Sequence, residues 1–254
     1  MCFDLDSRPP IAPIAGAAVA HEHLALTAVD GARSSAFAAH VGASPSPAAM
    51  LILPDVRGLH RYYEELALRF AEAGIDALAI DYFGRTTSTP ERGDGFEYMP
   101  HVEQTTWAGL QADIAAGAAH LRAGGDRALF TIGFCFGGRL ALLTPTLSEL
   151  RVAGGIGFYG WPTVPGRGGT PAPAEVATGN RAAVLAIFGG ADAGIPPEAV
   201  ASYEAALAAA GAAHEVITYA DAPHSFFDRK QADFAEASAD AWQHVLEFIA
   251  ANTP

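Results

Sequence analysis

The stretch Thr131–Leu143, "TIGFCFGGRLALL", holds one of the two cysteines of a 254-residue chain and breaks from one hydrophobic pattern into another. "ALFTIGF" reads as a buried strand and "GGRLALLTPTL" as a helix. At the junction, Gly133-Phe134-Cys135-Phe136-Gly137-Gly138 places glycines at −2, +2 and +3 around the cysteine. That is the pattern of a nucleophile elbow, a strained strand-to-helix turn whose neighbours must be small for the turn to close. The geometry lifts the central side chain to the carboxyl edge of a sheet. It also sets Cys135 at a helix N-terminus, whose partial positive charge favours thiolate over thiol. The N–H of Phe136 is then directed at a developing oxyanion. The competing reading is a small buried residue at an ordinary tight turn, and partners elsewhere in the chain decide between the two.

Outward from this turn the chain alternates. "AMLILP", "IDALAID", "VAGGIGFYG", "AAVLAIFGG" and "HEVITYA" are strand-length runs, separated by "YYEELALRFAEAG", "ADIAAGAAHLRAGG", "PPEAVASYEAALAAAG" and a final helix over residues 231–251. Continuous apolar runs imply strands covered on both faces, as in a parallel sheet between helices. Before them, "HLALTAVDG" and "SSAFAAHV" meet at Asp30-Gly31, a hairpin signal. The predicted class is α/β: a mostly parallel, doubly wound sheet of about eight strands, opened by an antiparallel hairpin, in one domain over residues 1–254. Two stretches resist the alternation, residues 84–104 and 161–180. Both leave the carboxyl ends of strands, where open α/β sheets place their ligand crevice.

Composition narrows the function. Half the residues are hydrophobic and the formal charge is −13, with Lys230 as the sole lysine. There is no basic stripe for nucleic acid and no polybasic patch for an anionic membrane. No apolar run reaches membrane-spanning length and the start, "MCFDLDSRPP", lacks a secretory pattern, so a cytoplasmic protein is expected. Cysteine and histidine do not cluster at ligand spacing; His21 and His23 of "HEH" lack a third ligand, and neither metal nor other cofactor is expected. A Cys2–Cys135 disulfide is disfavoured, because one residue is near the start and the other inside an apolar segment.

A cysteine nucleophile needs a base, and the hydrolase order is nucleophile, acid, histidine. Downstream of Cys135 stand His214, which begins a strand, His244, on the polar side of the last helix, and His224, in the loop "DAPHSFFD" directly after a strand. His224 is the candidate. The acid belongs after the preceding strand, where "IFGGADAGIP" supplies Asp192; Asp221, the competitor, is close enough to His224 to cap its turn.

With these residues the chain resembles the dienelactone hydrolase family, α/β-hydrolase-fold enzymes with a cysteine nucleophile. "GFCFGG" is similar to the family's elbow, "GGADAGIP" to its acid loop and "HSF" to its histidine loop. The resemblance implies that Cys135 attacks an ester or lactone carbonyl, His224 shuttles the proton and Asp192 orients the imidazole, with an acyl-thioester between. It implies an oxyanion site formed by the N–H groups of Phe136 and Val56. Asp55 stands where the family has a glutamate that accepts the thiol proton. Arg85 of "DYFGR" matches a carboxylate-binding arginine, whereas the second such arginine is replaced by Asp228, with Arg57 as a possible compensation. Tyr159 and Trp161 of "GFYGWP", with Ser225 and Phe226 beside the histidine, are the implied pocket residues. The implied partner is a small ester or lactone, and a monomer is expected, with a dimer as the alternative. Among rivals, a glutamine amidotransferase needs H-x-E after the cysteine, which is absent; a serine esterase or a dehalogenase needs another residue at the elbow. A catalytically silent hydrolase fold that binds a small ligand is the rival from another class.

Overall fold

In the computed structural model, which describes residues 3–17, 19–42, 46–89, 92–93 and 95–254, the alternation of apolar runs becomes a layered sheet. The elements are β1 (Val19–Thr27), β2 (Arg33–Val41), β3 (Ala48–Leu53), α1 (Arg61–Glu72), β4 (Asp76–Ile80), α2 (Tyr98–Glu103), α3 (Trp107–Arg122), β5 (Ala128–Phe134), α4 (Phe136–Leu143), β6 (Gly154–Phe158), β7 (Ala183–Gly189), α5 (Pro197–Ala209), β8 (His214–Tyr219) and α6 (Ala235–Ala251). The strands form one eight-stranded sheet in the order β1-β2-β4-β3-β5-β6-β7-β8. Only the β1/β2 and β2/β4 pairs are antiparallel. The predicted hairpin and parallel body are therefore both present.

The period-2 geometry of a strand explains why the central runs are apolar throughout. In β3, Met50 and Ile52 enter one core, with Tyr62, Leu66 and Phe70 of α1 and Val245 and Phe248 of α6. Ala49, Leu51 and Leu53 enter the other, with Leu110 and Ile114 of α3 and Leu140 of α4. Strand β4 splits likewise, Ala77 and Ala79 to the first core and Leu78 and Ile80 to the second. The outermost strands differ: β8 has one neighbour and is only partly buried. Among the described residues, no helix is long and apolar enough to cross a membrane.

Several elements differ from the periodicity; the last helix, for one, starts at Ala235 after a 3-10 turn at Ala232–Phe234. Helix α3 begins at Trp107, earlier than the apolar spacing suggests, because Thr106 caps it by accepting the Gly109 N–H at 3.2 Å. Helix α4 stops at Leu143 and the next turn, Thr144–Thr146, tightens to 3-10 around Pro145, which has no N–H to donate. Residues 84–104 contain α2, a six-residue helix with Val102 as its one buried side chain. That is too little apolar surface to show a period.

The connection after β4 is held by a buried ion pair. Arg92 donates to Asp81 from Nη2 at 2.6 Å and Nε at 3.1 Å, and its guanidinium lies 4.3 Å from the Phe96 ring centre. Asp81 also accepts the N–H groups of Leu59 and Phe83, which ties the loops after β3 and β4 together. Removing one partner of a buried pair strands the other, at a cost of about 3–5 kcal/mol. Because Asp81 retains its two N–H donors, Arg92→Ala is expected to lose roughly 3 kcal/mol, measured by urea unfolding; a loss under about 1 kcal/mol would show that the pair does not hold the loop.

Candidate active site

The elbow is a matter of backbone contact. Cys135 has φ 56° and ψ −110°, a left-handed turn that a side chain rarely adopts. It persists because the chain on both sides is locked. Cys135 N–H donates to the Phe158 carbonyl at 3.0 Å, and Arg139 N–H to the Cys135 carbonyl at 3.1 Å. A Cβ at Gly133 would lie 2.0 Å from the Gly137 carbonyl oxygen; one at Gly137 would lie 2.0 Å from that of Leu53, and one at Gly138 2.3 Å from that of Phe158. Backbone cannot yield to such contacts, so the glycines are what let α4 settle against the ends of β3 and β6. The approach also sets Gly137, next to Phe136, against the Leu53 and Pro54 carbonyls that lead into the 54–56 loop. Phe136 opens α4, where no carbonyl one turn earlier exists, and among the described residues neither its N–H nor that of Val56 reaches a backbone carbonyl.

The structure brings Cys135, Asp192 and His224 together. His224 Nδ1 is 2.6 Å from Asp192 Oδ2, and the ring also hydrogen-bonds the Cys135 side chain. Asp192 Oδ1 accepts the Gly194 N–H at 2.8 Å. Burial opposes a charge on the His224 ring, but the bonds to Asp192 and Cys135 outweigh it and raise its pKa to about 9. Burial would raise Asp192 as well; the His224 bond and the N–H groups of Gly194 and Ile195 hold it below its usual value. Cys135 is 4% exposed. The arrangement can hold a proton on the imidazole between a sulfur and a carboxylate, which favours a nucleophilic thiolate.

Asp55 is the second carboxyl near the sulfur. It is fully buried, and its oxygens accept the N–H groups of Phe3 at 3.1 Å and Arg57 at 2.8 Å. Burial pushes its pKa up to about 7, against those two N–H bonds and with a contribution from the Cys135 charge. His60, 5% exposed, puts Nε2 3.8 Å from Asp55 Oδ1, too far for a hydrogen bond. Burial, with the nearby Arg57 charge, lowers the His60 pKa to about 3, so this ring is neutral.

The other sequence candidates are placed as follows. Tyr159 (φ 38°) and Trp161 flank the histidine, with ring centres 4.8 and 5.1 Å from that of His224. Trp161 also donates from Nε1 to the Gly194 carbonyl at 3.0 Å, pinning the acid loop. Ser225 (φ 63°) and Phe226 are buried; Phe226 packs on Tyr159 at 5.8 Å. Arg57 lies 3.8 Å from Asp4 and 5.8 Å from the Tyr98 ring centre. Arg85 is drawn away from this group: it donates to Asp113 at 2.9 and 3.0 Å and to Asp30 in the β1–β2 turn at 3.2 Å. Its fork is occupied by carboxylates of its own chain. His214 bonds the Ala212 carbonyl through Nδ1, and His244 pairs with Glu215 at 3.1 Å. Asp221 is exposed and makes no side-chain hydrogen bond among the described residues, so it does not cap the turn; the Ala222 N–H closes that turn on the Tyr219 carbonyl. Cys2, the other cysteine in the disulfide question, lies outside the described residues.

Three residues of the site escaped the sequence reading. Arg139, one turn into α4, donates to the Trp161 carbonyl at 3.2 Å, and its position four residues after the elbow cysteine was the available signal. His60 lacked any motif, and Phe3 is contributed from 52 positions away from Asp55.

A sheet of this order with a left-handed cysteine elbow, an acid after β7 and a histidine after β8 defines an α/β-hydrolase fold. The model of the dienelactone hydrolase family matches residues 36–253, and the chain belongs to that family of hydrolases. It is 31% identical over 215 residues to a Salmonella typhimurium protein named "Putative carboxymethylenebutenolidase", covering 79% of this chain and 76% of that one. A relative of the same name in Escherichia coli strain K12 is 30% identical over 214 residues, covering 79% and 75%. Among solved structures, the "Putative Dienelactone Hydrolase" of Klebsiella pneumoniae superposes with a TM-score of 0.80 at 26% identity, over 92% of this chain and 99% of that one.

The raised Asp55 pKa makes a signed prediction. The folded state binds a proton that the unfolded carboxylate has released, so this group's stability contribution is full below pH 3.8 and is lost as pH rises through about 7. Asp55→Asn removes the titration. In urea unfolding, the variant is expected to gain on the parent between pH 4 and 7, by at most about 1.4 kcal/mol per pH unit, and to run parallel above pH 7. Whatever constant cost the lost acceptor adds, parallel curves across pH 4–7 would contradict a protonated, buried Asp55.

Proposed function

We propose that the protein hydrolyses a neutral carboxylic ester or lactone through Cys135 as nucleophile, His224 as proton shuttle and Asp192 as the carboxylate that orients the imidazole. The observation that carries this reading is the unbroken contact from Asp192 through His224 to the Cys135 sulfur at the mouth of a strained elbow. The sulfur attacks the carbonyl carbon and its oxygen takes the negative charge, facing the N–H groups of Phe136 and Val56. Collapse of the tetrahedral adduct breaks the carbon–oxygen bond, and His224 gives its proton to the leaving alkoxide. His224 then removes a proton from water, whose oxygen attacks the thioester; collapse returns the thiolate and releases the acid. Loss of one oxyanion donor costs on the order of 3 kcal/mol of transition-state stabilisation.

Asp55 adds a second proton site. A carboxyl whose pKa is near 7, beside the sulfur, can take the thiol proton when His224 is occupied, the role that the longer glutamate has in the family. A neutral substrate follows from the charges. Arg85 is bound to Asp113 and Asp30, and Asp228, at the position of the family's second arginine, is a buried carboxylate. A substrate carboxylate would find the Arg85 fork already taken by two carboxylates of the chain and a carboxyl instead of a guanidinium at position 228.

Turnover of p-nitrophenyl acetate is expected to fall by about a thousandfold or more in Cys135→Ala. Equal rates in parent and variant would remove the hydrolase reading and leave a ligand-binding protein. Acid-quenched single turnovers of the parent are expected to carry the acetyl group on the Cys135 peptide in mass spectra. Asp192→Asn, which leaves the imidazole without its orienting charge, is expected to lose about 10²–10⁴ in kcat; an unchanged kcat would exclude Asp192 from the triad.

A further inference from the structure

Residues 3–8 precede the family match at 36–253, yet they are bound to two of the loops that bring chemistry to the sheet edge. Phe3 is 1% exposed. Its ring stacks on Tyr62 at 3.8 Å between centres and meets Phe134, next to Cys135, at 5.7 Å and Tyr159, beside His224, at 6.4 Å. Its N–H is one of the two that hold Asp55. Farther along, the Arg8 N–H donates to Asp228 Oδ1 at 3.3 Å and the Arg8 carbonyl accepts the Arg229 N–H at 2.9 Å. Lys230 reaches Asp6 at 2.6 Å and Asp4 at 3.6 Å. The segment thus runs from the Asp55 loop to the loop that follows His224.

Its surroundings are hollow. Leu5 lines three cavities, of about 600, 520 and 180 Å³. The first and second also share Arg61, the second and third Arg57, and the first and third Arg92 and Gly93. A segment that borders three cavities with common walls is a divider laid in one larger depression. Its outer fastenings are ion pairs: Lys230 with Asp6, whose side chains are 40% and 78% exposed, is screened by salt and contributes little, and Arg8 pairs with the less exposed Glu65 of α1. Its inner end is an apolar ring seated in the same cluster as Cys135.

We propose that residues 3–8 form a strap over the acyl side of the active site, with Phe3 as the wall that sets the size of the acyl group. The inference rests on the hydrolase reading for its substrate but not for its geometry. On this proposal the ring, held between Tyr62, Phe134 and Tyr159, limits the acyl chain to a short one, and its removal joins the space it fills to the depression around Leu5. Lifting the strap needs only the exposed ion pairs, a few backbone bonds and the ring contacts to release; no sheet ladder holds it, since β1 begins at Val19.

The test uses the full chain with Phe3→Ala and the milder Phe3→Leu. The ratio of kcat/KM for p-nitrophenyl octanoate to that for p-nitrophenyl acetate is expected to rise about tenfold or more in Phe3→Ala, with Phe3→Leu between the two. A residue that only packs would lower both rates together and leave the ratio unchanged. A second readout needs no turnover: alkylation of Cys135 by N-phenylmaleimide relative to iodoacetamide, followed on the Cys135 peptide because Cys2 is also a thiol. That ratio is expected to rise in both variants, and in the unaltered chain at about 0.5 M salt, where the outer pairs are screened. If no protein turns over ester but the alkylation ratio rises, the strap stands and the hydrolase reading falls. If ester is cleaved and neither ratio moves in the folded Leu or Ala variant, the strap is overturned; should both variants fail to fold, an alkylation ratio in the unaltered chain that salt leaves unchanged overturns it equally.

Discussion

The structure depends on how closely α4 approaches the strand ends. Gly137 lies against the Leu53 and Pro54 carbonyls and Gly138 against that of Phe158, at separations that leave no space for a Cβ. This contact accompanies the left-handed conformation of Cys135 at the end of β5 and sets the start of α4 against the carbonyls that end β3. Strain of this kind, of order 1–3 kcal/mol, persists only where surrounding structure over-determines it. Here two buried cores, one on each face of the sheet, hold β3, β5 and β6 in register.

Around that turn the protein separates two carboxyl groups by environment alone. Asp192 is paired with an imidazole and with backbone N–H groups, and it stays ionised. Asp55 is sealed without a cation in hydrogen-bonding contact among the described residues, and its pKa rises toward neutrality. The pair thereby holds one carboxyl ionised against His224 and another whose pKa is raised to about 7. Environments that push like groups apart are the usual means of making an acid and a base from the same side chain.

The arginines show the same economy of position. In a chain of net charge −13 they are mostly engaged by the protein's own carboxylates: Arg85 by Asp113 and Asp30, Arg92 by Asp81, Arg127 by Asp76. These pairs tie hairpin, loops and helices to the sheet edge. The rings around the triad candidates are aromatic: Tyr159 and Trp161 pack against His224, and Phe3, whose N–H binds Asp55, stacks on Tyr62. The guanidinium that the family resemblance assigns to substrate, Arg85, is here paired with Asp113 and Asp30.

The fold class and the triad candidates were determined by the sequence itself, because both rest on local signals. Buried strands must be apolar throughout, helices show their period, and an elbow needs glycines at fixed offsets wherever it occurs; the order of Cys135, Asp192 and His224 then follows chain order. Short or capped pieces such as α2 and the start of α3 were harder to read, since six residues carry no period and one threonine moves a boundary. Only tertiary structure decided that Arg85 faces Asp113, that His60 lies beside Asp55 and that the Phe3 N–H binds Asp55. Two of those contacts join residues 28 and 52 positions apart, and the third, between His60 and Asp55, crosses the turn that opens α1. Their energies depend on which groups burial leaves together, and no local pattern in the chain encodes that.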